Sequence, residues 1–187
     1  MTKGKNFSGA NRGQRKKSDF YETPYSMTSR FLDIHRFTNQ VLEPACGSGA
    51  IVNVLNDYGY DVTSYDKEVD FLKETRSFEN VVTNPPFSLA NQFIDKCLEI
   101  CTHEFALLLP LSYLHGKKRY DDFYANNQAG LKHIYVFTRY PLLGEDLRED
   151  GKYNTGMMVY AWFLFSKNWR MDPSISWIDN DEDIIRK

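Results

Sequence analysis

Val41-Leu42-Glu43-Pro44-Ala45-Cys46-Gly47-Ser48-Gly49 reads as a strand that ends in an acidic, glycine-bearing turn opening a helix. Two glycines two residues apart let the backbone turn tightly and approach a ligand closely. Working outward, residues 38–42 are expected as the first strand, and the helix begins at 50–55, with Gly59 as its stop. Residues 61–66 alternate and end in an acid, which predicts a second strand. A third, 80–83, ends at Asn84. The continuous apolar run 105–109 has the composition of a strand buried on both faces of a parallel sheet. Residues 133–138 and 157–165 predict the remaining strands.

Helices are expected between them. Thr23 suits an N-cap and Pro24 a first helical position, with Met27, Phe31, Ile34 and His35 forming one apolar stripe behind them. Residues 89–100 carry Leu89, Phe93, Cys97 and Ile100 on one face, and 119–127 reads as a further helix. Strand and helix alternate from 24 to 138. This predicts an α/β fold, a Rossmann-like, doubly wound, mostly parallel sheet. The long polar segment 139–156 and the last strand add an antiparallel edge hairpin.

The 187 residues bound one domain. Residues 1–18 form an expected basic flexible arm, 19–168 the domain, and 169–187 an acidic C-terminal tail with Asp172, Asp179, Asp181, Glu182 and Asp183. The net charge of -2 argues against a surface that coats nucleic acid uniformly, yet the arm holds Lys16 and Lys17 among six basic residues and no acid before position 18. Aromatics at 15% favour stacking on flat rings. No apolar run approaches the ~18 residues of a membrane span, so a cytoplasmic protein without a membrane partner is expected. Cys46, Cys97 and Cys101 are an odd set without a paired Cys-x-x-Cys, read as reduced thiols, and no metal is expected.

In a doubly wound sheet, ligands bind beyond the carboxyl ends of the strands, where the strand order reverses. The 43–49 turn stands at such an end. Asp66 follows Gly47 by 19 residues, where a carboxylate can accept both hydroxyls of a ribose. A nicotinamide dinucleotide fits poorly, because the turn lacks the G-x-G-x-x-G spacing and no basic residue faces a pyrophosphate. Glu43 would repel a dinucleotide and welcome a sulfonium cation with its ammonium group.

The order Glu-Thr-Pro (22–24), then 41–49, an acidic strand end, Asp70-Phe71-Leu72 and Asn84-Pro85-Pro86-Phe87 resembles the S-adenosylmethionine-dependent N6-adenine DNA methyltransferases. It is most similar to those whose cofactor motifs precede the catalytic one. The small orphan enzymes of phages and prophages, kin to restriction-modification methylases, share the look of 109–119. The resemblance covers about residues 20–165 and implies the class I methyltransferase fold, acting in a bacterial or phage-infected cell. It implies that Tyr21, Thr23 and Pro24 hold the methionine end of S-adenosyl-L-methionine. Glu43, Ala45, Cys46, Gly47 and Gly49 would line the cofactor, Asp66 would take its ribose, and Asp70 and Phe71 would meet its adenine. Asn84 would touch cofactor and substrate both.

The Asn84-Pro85-Pro86-Phe87 stretch carries its own chemistry. An exocyclic amine on a purine is a poor nucleophile, since its lone pair is delocalised into the ring. Acceptors that hold both N–H bonds restore lone-pair character, and the Asn84 amide oxygen and Pro85 carbonyl are such acceptors. Two prolines remove backbone donors and fix φ, so the turn is an acceptor-rich, rigid frame. Phe87 can stack on an extruded base. No metal or covalent nucleophile is required, and the Pro-Cys dipeptide of a carbon-5 cytosine enzyme is absent. The same tetrapeptide also occurs in enzymes that methylate guanine N2 in RNA or glutamine amides in proteins.

Target contacts are expected from Lys16, Lys17, Lys117, Lys118, Arg119, Arg139 and Arg148, mostly to phosphates, with Tyr153 and Asn154 as candidates around the base. The expected partner is DNA, with RNA the alternative. A catalytically idle nucleic-acid-binding module is a third reading. The histidines show no ligand or triad spacing.

Overall fold

The computed structural model describes residues 22–139 and 159–180. In chain order the elements are α1 (Tyr25–Ile34), β1 (Gln40–Glu43), α2 (Ala50–Asp57), β2 (Asp61–Ser64), β3 (Phe78–Thr83), α3 (Ala90–Ile100) and β4 (Cys101–Pro110). A short helical segment α4 (Lys117–Arg119) follows, then β5 (Leu131–Phe137), β6 (Tyr160–Ser166) and β7 (Ser174–Ile178). These strands form a single sheet in the order β2-β1-β3-β4-β6-β5-β7. The pairs β1–β2, β1–β3 and β3–β4 are parallel, while β6 runs antiparallel to both β4 and β5. The sheet is thus mostly parallel with an antiparallel pair on one side, as the sequence led us to expect.

β7 was not anticipated. Residues from 169 onward were expected to form an acidic tail, yet Ser174–Ile178 pairs in parallel with β5 along its whole length. Its composition hides it: Ile175 and Trp177 are exposed, and only Ile178 packs into the core.

β1 sits between β2 and β3, so the chain leaves β1 in one direction and returns on its other side at β3. The order reverses there, which opens a crevice beyond the carboxyl ends of these two strands. Two apolar layers hold the sheet around it. On one face α3 contributes Phe93, Ile94 and Cys97 against Leu42, Val81, Phe105 and Phe163. On the other, Met27, Phe31, Val54 and Leu55 of α1 and α2 meet Val41, Val82, Leu108 and Trp162. Both faces of β4 are therefore covered, the physical cause of its unbroken apolar run. Phe31 stacks on Trp162 at 4.9 Å, and Trp162 Nε1 donates to the Met27 carbonyl at 2.9 Å, which satisfies the indole while burying it.

Several local expectations are corrected. α1 starts at Tyr25 with Pro24 in the cap position and no side-chain cap, so Thr23 is not its N-cap. Ile34 is 53% exposed, and the buried stripe is Met27, Thr28, Phe31 and Leu32. The helix expected over 119–127 is three short pieces: Lys117–Arg119, a π turn Tyr120–Tyr124 and a 3-10 turn Ala125–Asn127 in which Asn126 has φ 55°.

Candidate functional site

The crevice beyond β1 and β3 is a cavity of about 590 Å³. The turn after β1 lines it with Ala45, Cys46, Gly47 and Ser48, and the corner after β3 with Asn84, Pro85, Pro86 and Phe87. Asp66, Asp70 and Phe71 close a third side, and Glu22 and Thr23 a fourth. Among the described residues, its charged lining is Glu22, Asp66 and Asp70 against Lys67. Such a lining disfavours a polyphosphate and suits a cationic ligand.

Backbone geometry builds the first wall. Gly47 and Gly49 have φ of 51° and 84°, and Gly49 caps α2 from this left-handed conformation. A Cβ at Gly49 would meet nothing within 4 Å, so the requirement there is conformational. The Cys46 amide donates to the Tyr65 carbonyl at 2.8 Å, joining the turn to the end of β2. Gly49 does not itself line the cavity, nor does Pro24.

Glu43 departs from its expected role. It is 0% exposed and does not line the cavity; it lies beneath the turn. Its Oε1 accepts from the Ala45 amide at 2.9 Å and from Thr83 Oγ1 at 2.6 Å, bridging the ends of β1 and β3. Among the described residues its Oε2 has no hydrogen-bond partner. Burial lifts the carboxyl to about 8, against a smaller downward pull from Thr83 and Ala45, so Glu43 holds its proton at neutral pH.

The third wall is held from outside. Tyr65 donates to Glu74 Oε2 at 2.6 Å, Arg76 pairs with the same carboxylate at 2.8 Å, and Lys96 donates to the Glu74 carbonyl at 3.1 Å. These contacts anchor the segment that carries Asp66, Asp70 and Phe71. Phe71 is buried with its ring 4.8 Å from Phe93. Asp70 accepts from Leu72 N at 3.2 Å and pairs with Lys73 at 3.0 Å; the Lys73 ammonium keeps its carboxyl below the ordinary value.

At the fourth wall, Asn84 Nδ2 donates to Thr23 Oγ1 at 3.0 Å, and Ser48 Oγ donates to Glu22 Oε1 at 3.1 Å. Neither contact was foreseen, because the residues involved lie 61 and 26 positions apart. Thr83 was missed too, and only its neighbour Asn84 hinted at it. Phe87 lies 5.8 Å from Tyr160 at the start of β6, an aromatic pair at the rim.

The expected nucleic-acid contacts are less gathered. Lys117 and Lys118 pair with Asp121 and Asp122 one helical turn on, while their side chains stay largely exposed. The matching spacing of acids was legible in the sequence. Arg119 donates to the carbonyls of Ser112 and His115 and sits 4.2 Å over the Tyr113 ring, so it braces its own loop. Arg139 is exposed at the end of β5, its backbone bonded to Asn180. None of these four lines the cavity. Tyr21, Lys16, Lys17, Arg148, Tyr153 and Asn154 lie outside the described residues. Among the described residues no cluster of three metal-ligating side chains occurs, and no helix is long and apolar enough to cross a membrane.

The sequence matches no protein-family model, and no curated protein matches it. Solved structures do. A Listeria monocytogenes protein described as a class I S-adenosylmethionine-dependent methyltransferase superposes with a TM-score of 0.58 at 13% identity, over 87% of this chain and 67% of that one. The methyltransferase subunit of a type I restriction-modification system from Streptococcus thermophilus gives 0.55 at 14%, over 90% of this chain but 49% of its own length. The 23S rRNA methyltransferase ErmE gives 0.55 at 15%, over 81% and 71%. At these identities the likeness is one of architecture, and it agrees with the sheet order found above: the chain has the class I methyltransferase fold.

Proposed function

We propose that this chain transfers a methyl group from S-adenosylmethionine to the exocyclic N6 amine of adenine in DNA. The observation that carries the reading is the shared cavity: the acceptor-rich corner 84–87 and the glycine turn after β1 line one space. Its size falls within the ~300–1,000 Å³ usual for small-molecule sites. The residues present fit such a cofactor. Asp66 at the end of β2 suits a ribose, Asp70 and Phe71 suit an adenine, and the acidic lining suits a sulfonium and an ammonium group.

The bound cofactor supplies an already activated methyl on a sulfonium. The protein's own part is orientation. The Asn84 amide oxygen and the Pro85 carbonyl accept the two N–H bonds of the target amine, drawing its lone pair out of the ring. Pro85 and Pro86 keep that frame rigid, and the 3-10 turn Phe87–Leu89 follows at once. Phe87 stacks on the base, which must leave the duplex to reach the cavity. Lys117, Lys118 and Arg139 would meet phosphates outside it, together with Lys16, Lys17 and Arg148.

RNA is the second reading, because ErmE and the restriction-modification subunit share this fold to the same degree. Labelled S-adenosylmethionine offered with unmethylated DNA and, separately, structured RNA separates them. Nucleoside analysis is expected to give N6-methyldeoxyadenosine; label in RNA alone would move the assignment to RNA, and label in neither would overturn it.

A further inference from the structure

Thr23 lies 61 residues before Asn84 in the chain, yet its hydroxyl oxygen accepts from Asn84 Nδ2 at 3.0 Å. Both side chains line the cavity, and Thr23 is only 5% exposed. Thr23 is itself fixed from two directions. Before it, Glu22 is held by Ser48 of the glycine turn. After it, Met27 N donates to the Pro24 carbonyl at 3.0 Å, and the Met27 carbonyl accepts from Trp162 deep in the sheet.

We infer that Thr23 is a positioning residue: its hydroxyl tethers the Asn84 amide and so holds that side chain where its oxygen can receive the target amine. The inference rests on the reaction proposed above. It differs from the role that the family resemblance implies for Thr23, which is contact with the methionine end of the cofactor.

A primary amide has a donor end and an acceptor end of nearly equal size, and the terminal torsion that exchanges them is soft. With the oxygen toward the substrate, Asn84 accepts an N–H of the amine and enriches its lone pair. With the nitrogen there, two donors face each other and the site is unproductive. A hydroxyl can accept from the nitrogen or donate to the oxygen, so the bond to Thr23 holds the amide in place, and the target amine, itself a donor, draws the oxygen toward it. Pro85 and Pro86 restrict the backbone on the other side, and Thr23 acts on the Asn84 side chain, whose torsions the prolines leave soft.

The test compares Thr23→Val, which keeps the shape and removes the hydroxyl, with Thr23→Ser, which keeps the hydroxyl. Both are assayed with saturating S-adenosylmethionine on adenine-containing DNA, and cofactor binding is measured separately by calorimetry. Thr23→Val is expected to lower kcat about 10- to 100-fold, the scale of a misplaced catalytic group, with cofactor Kd unchanged. Thr23→Ser is expected to restore kcat. In an Asn84→Ala background, Thr23→Val should cause no further loss. Weakened cofactor binding with kcat intact at saturation would overturn the inference in favour of a donor contact. Unchanged kcat in Thr23→Val would overturn it outright. If the unsubstituted protein transfers no methyl group to DNA adenine, the proposed function falls and takes this inference with it; an active enzyme indifferent to Thr23→Val removes the inference alone.

Discussion

Replacing Glu43 with glutamine removes one titration from the interior of the sheet. In the wild-type chain the carboxyl is fully buried, with Oε1 engaged by Ala45 and Thr83 and Oε2 without a partner among the described residues. Burial lifts it from the ordinary glutamate value of 4.5 to about 8. Between those two values the folded chain keeps a proton that the unfolded chain has released, so stability falls as pH rises through the window. The slope is about 1.4 kcal/mol per pH unit, of order 5 kcal/mol across the whole window. Glutamine offers the same acceptor to Ala45 and Thr83 and does not titrate. Its Nε2 takes the place of the unpartnered oxygen at a constant cost of about 1–3 kcal/mol. Relative to wild type, Glu43→Gln should therefore gain about 4 kcal/mol between pH 5 and pH 8. Urea unfolding of both proteins at pH 5, 6, 7 and 8 reads this directly, because titrations elsewhere cancel in the difference. Two pH curves that run parallel would refute the reasoning, since they would mean that Glu43 has the same proton affinity folded and unfolded.

Asn84→Ala should lower kcat by about 10²- to 10³-fold, the usual effect of deleting one charge-stabilising contact, while calorimetry shows cofactor affinity within about twofold; retained turnover would remove the clamp from the mechanism. Gly130 has φ +69°, and a Cβ there would run into the Ser166 carbonyl. Gly130→Ala should thus cost about 2 kcal/mol or more in a thermal melt, and a wild-type melting temperature would show that the β5 entry repacks freely. Glu104 is buried and pairs with His35 at 3.0 Å and Lys132 at 2.7 Å. Burial works to raise its carboxyl, but the bonds from His35 and Lys132 prevail and hold it at about 2. The stability it contributes is therefore complete above 4.5 and lost as pH falls toward 2. Glu104→Ala should cost about 3 kcal/mol at pH 7 and flatten that acid limb in a urea series.

What could be read from the sequence was what backbone chemistry writes locally. Gly47, Gly49, Pro85 and Pro86 constrain φ directly, so the two turns and their placement at strand ends were visible, and the run 105–109 announced a strand covered on both faces. The features that escaped depend on partners far along the chain. Thr23 has the composition of a helix cap, but its hydroxyl serves Asn84. Glu43 looked like a cavity acid, but the neighbouring strand encloses it and Thr83 engages it. β7 places Ile175 and Trp177 outward among acids, the reverse of the pattern that marks a buried strand. Arg119 reads as a phosphate contact because charge is visible in a sequence, whereas the carbonyls of Ser112 and His115 that receive it are not.

Because β6 runs against β4 and β5, its first residue, Tyr160, stands beside Phe87, and Val159 just before it accepts from Leu111 N at 2.7 Å. Arg139, at the far end of β5, is pinned to Asn180 on the same side of the sheet. Arg139 and Val159 are thereby held at the same end of the sheet as Phe87. The register of β5 against β6 therefore fixes both the point where the chain leaves the sheet and the point where it re-enters, beside the ring that the proposed reaction would use.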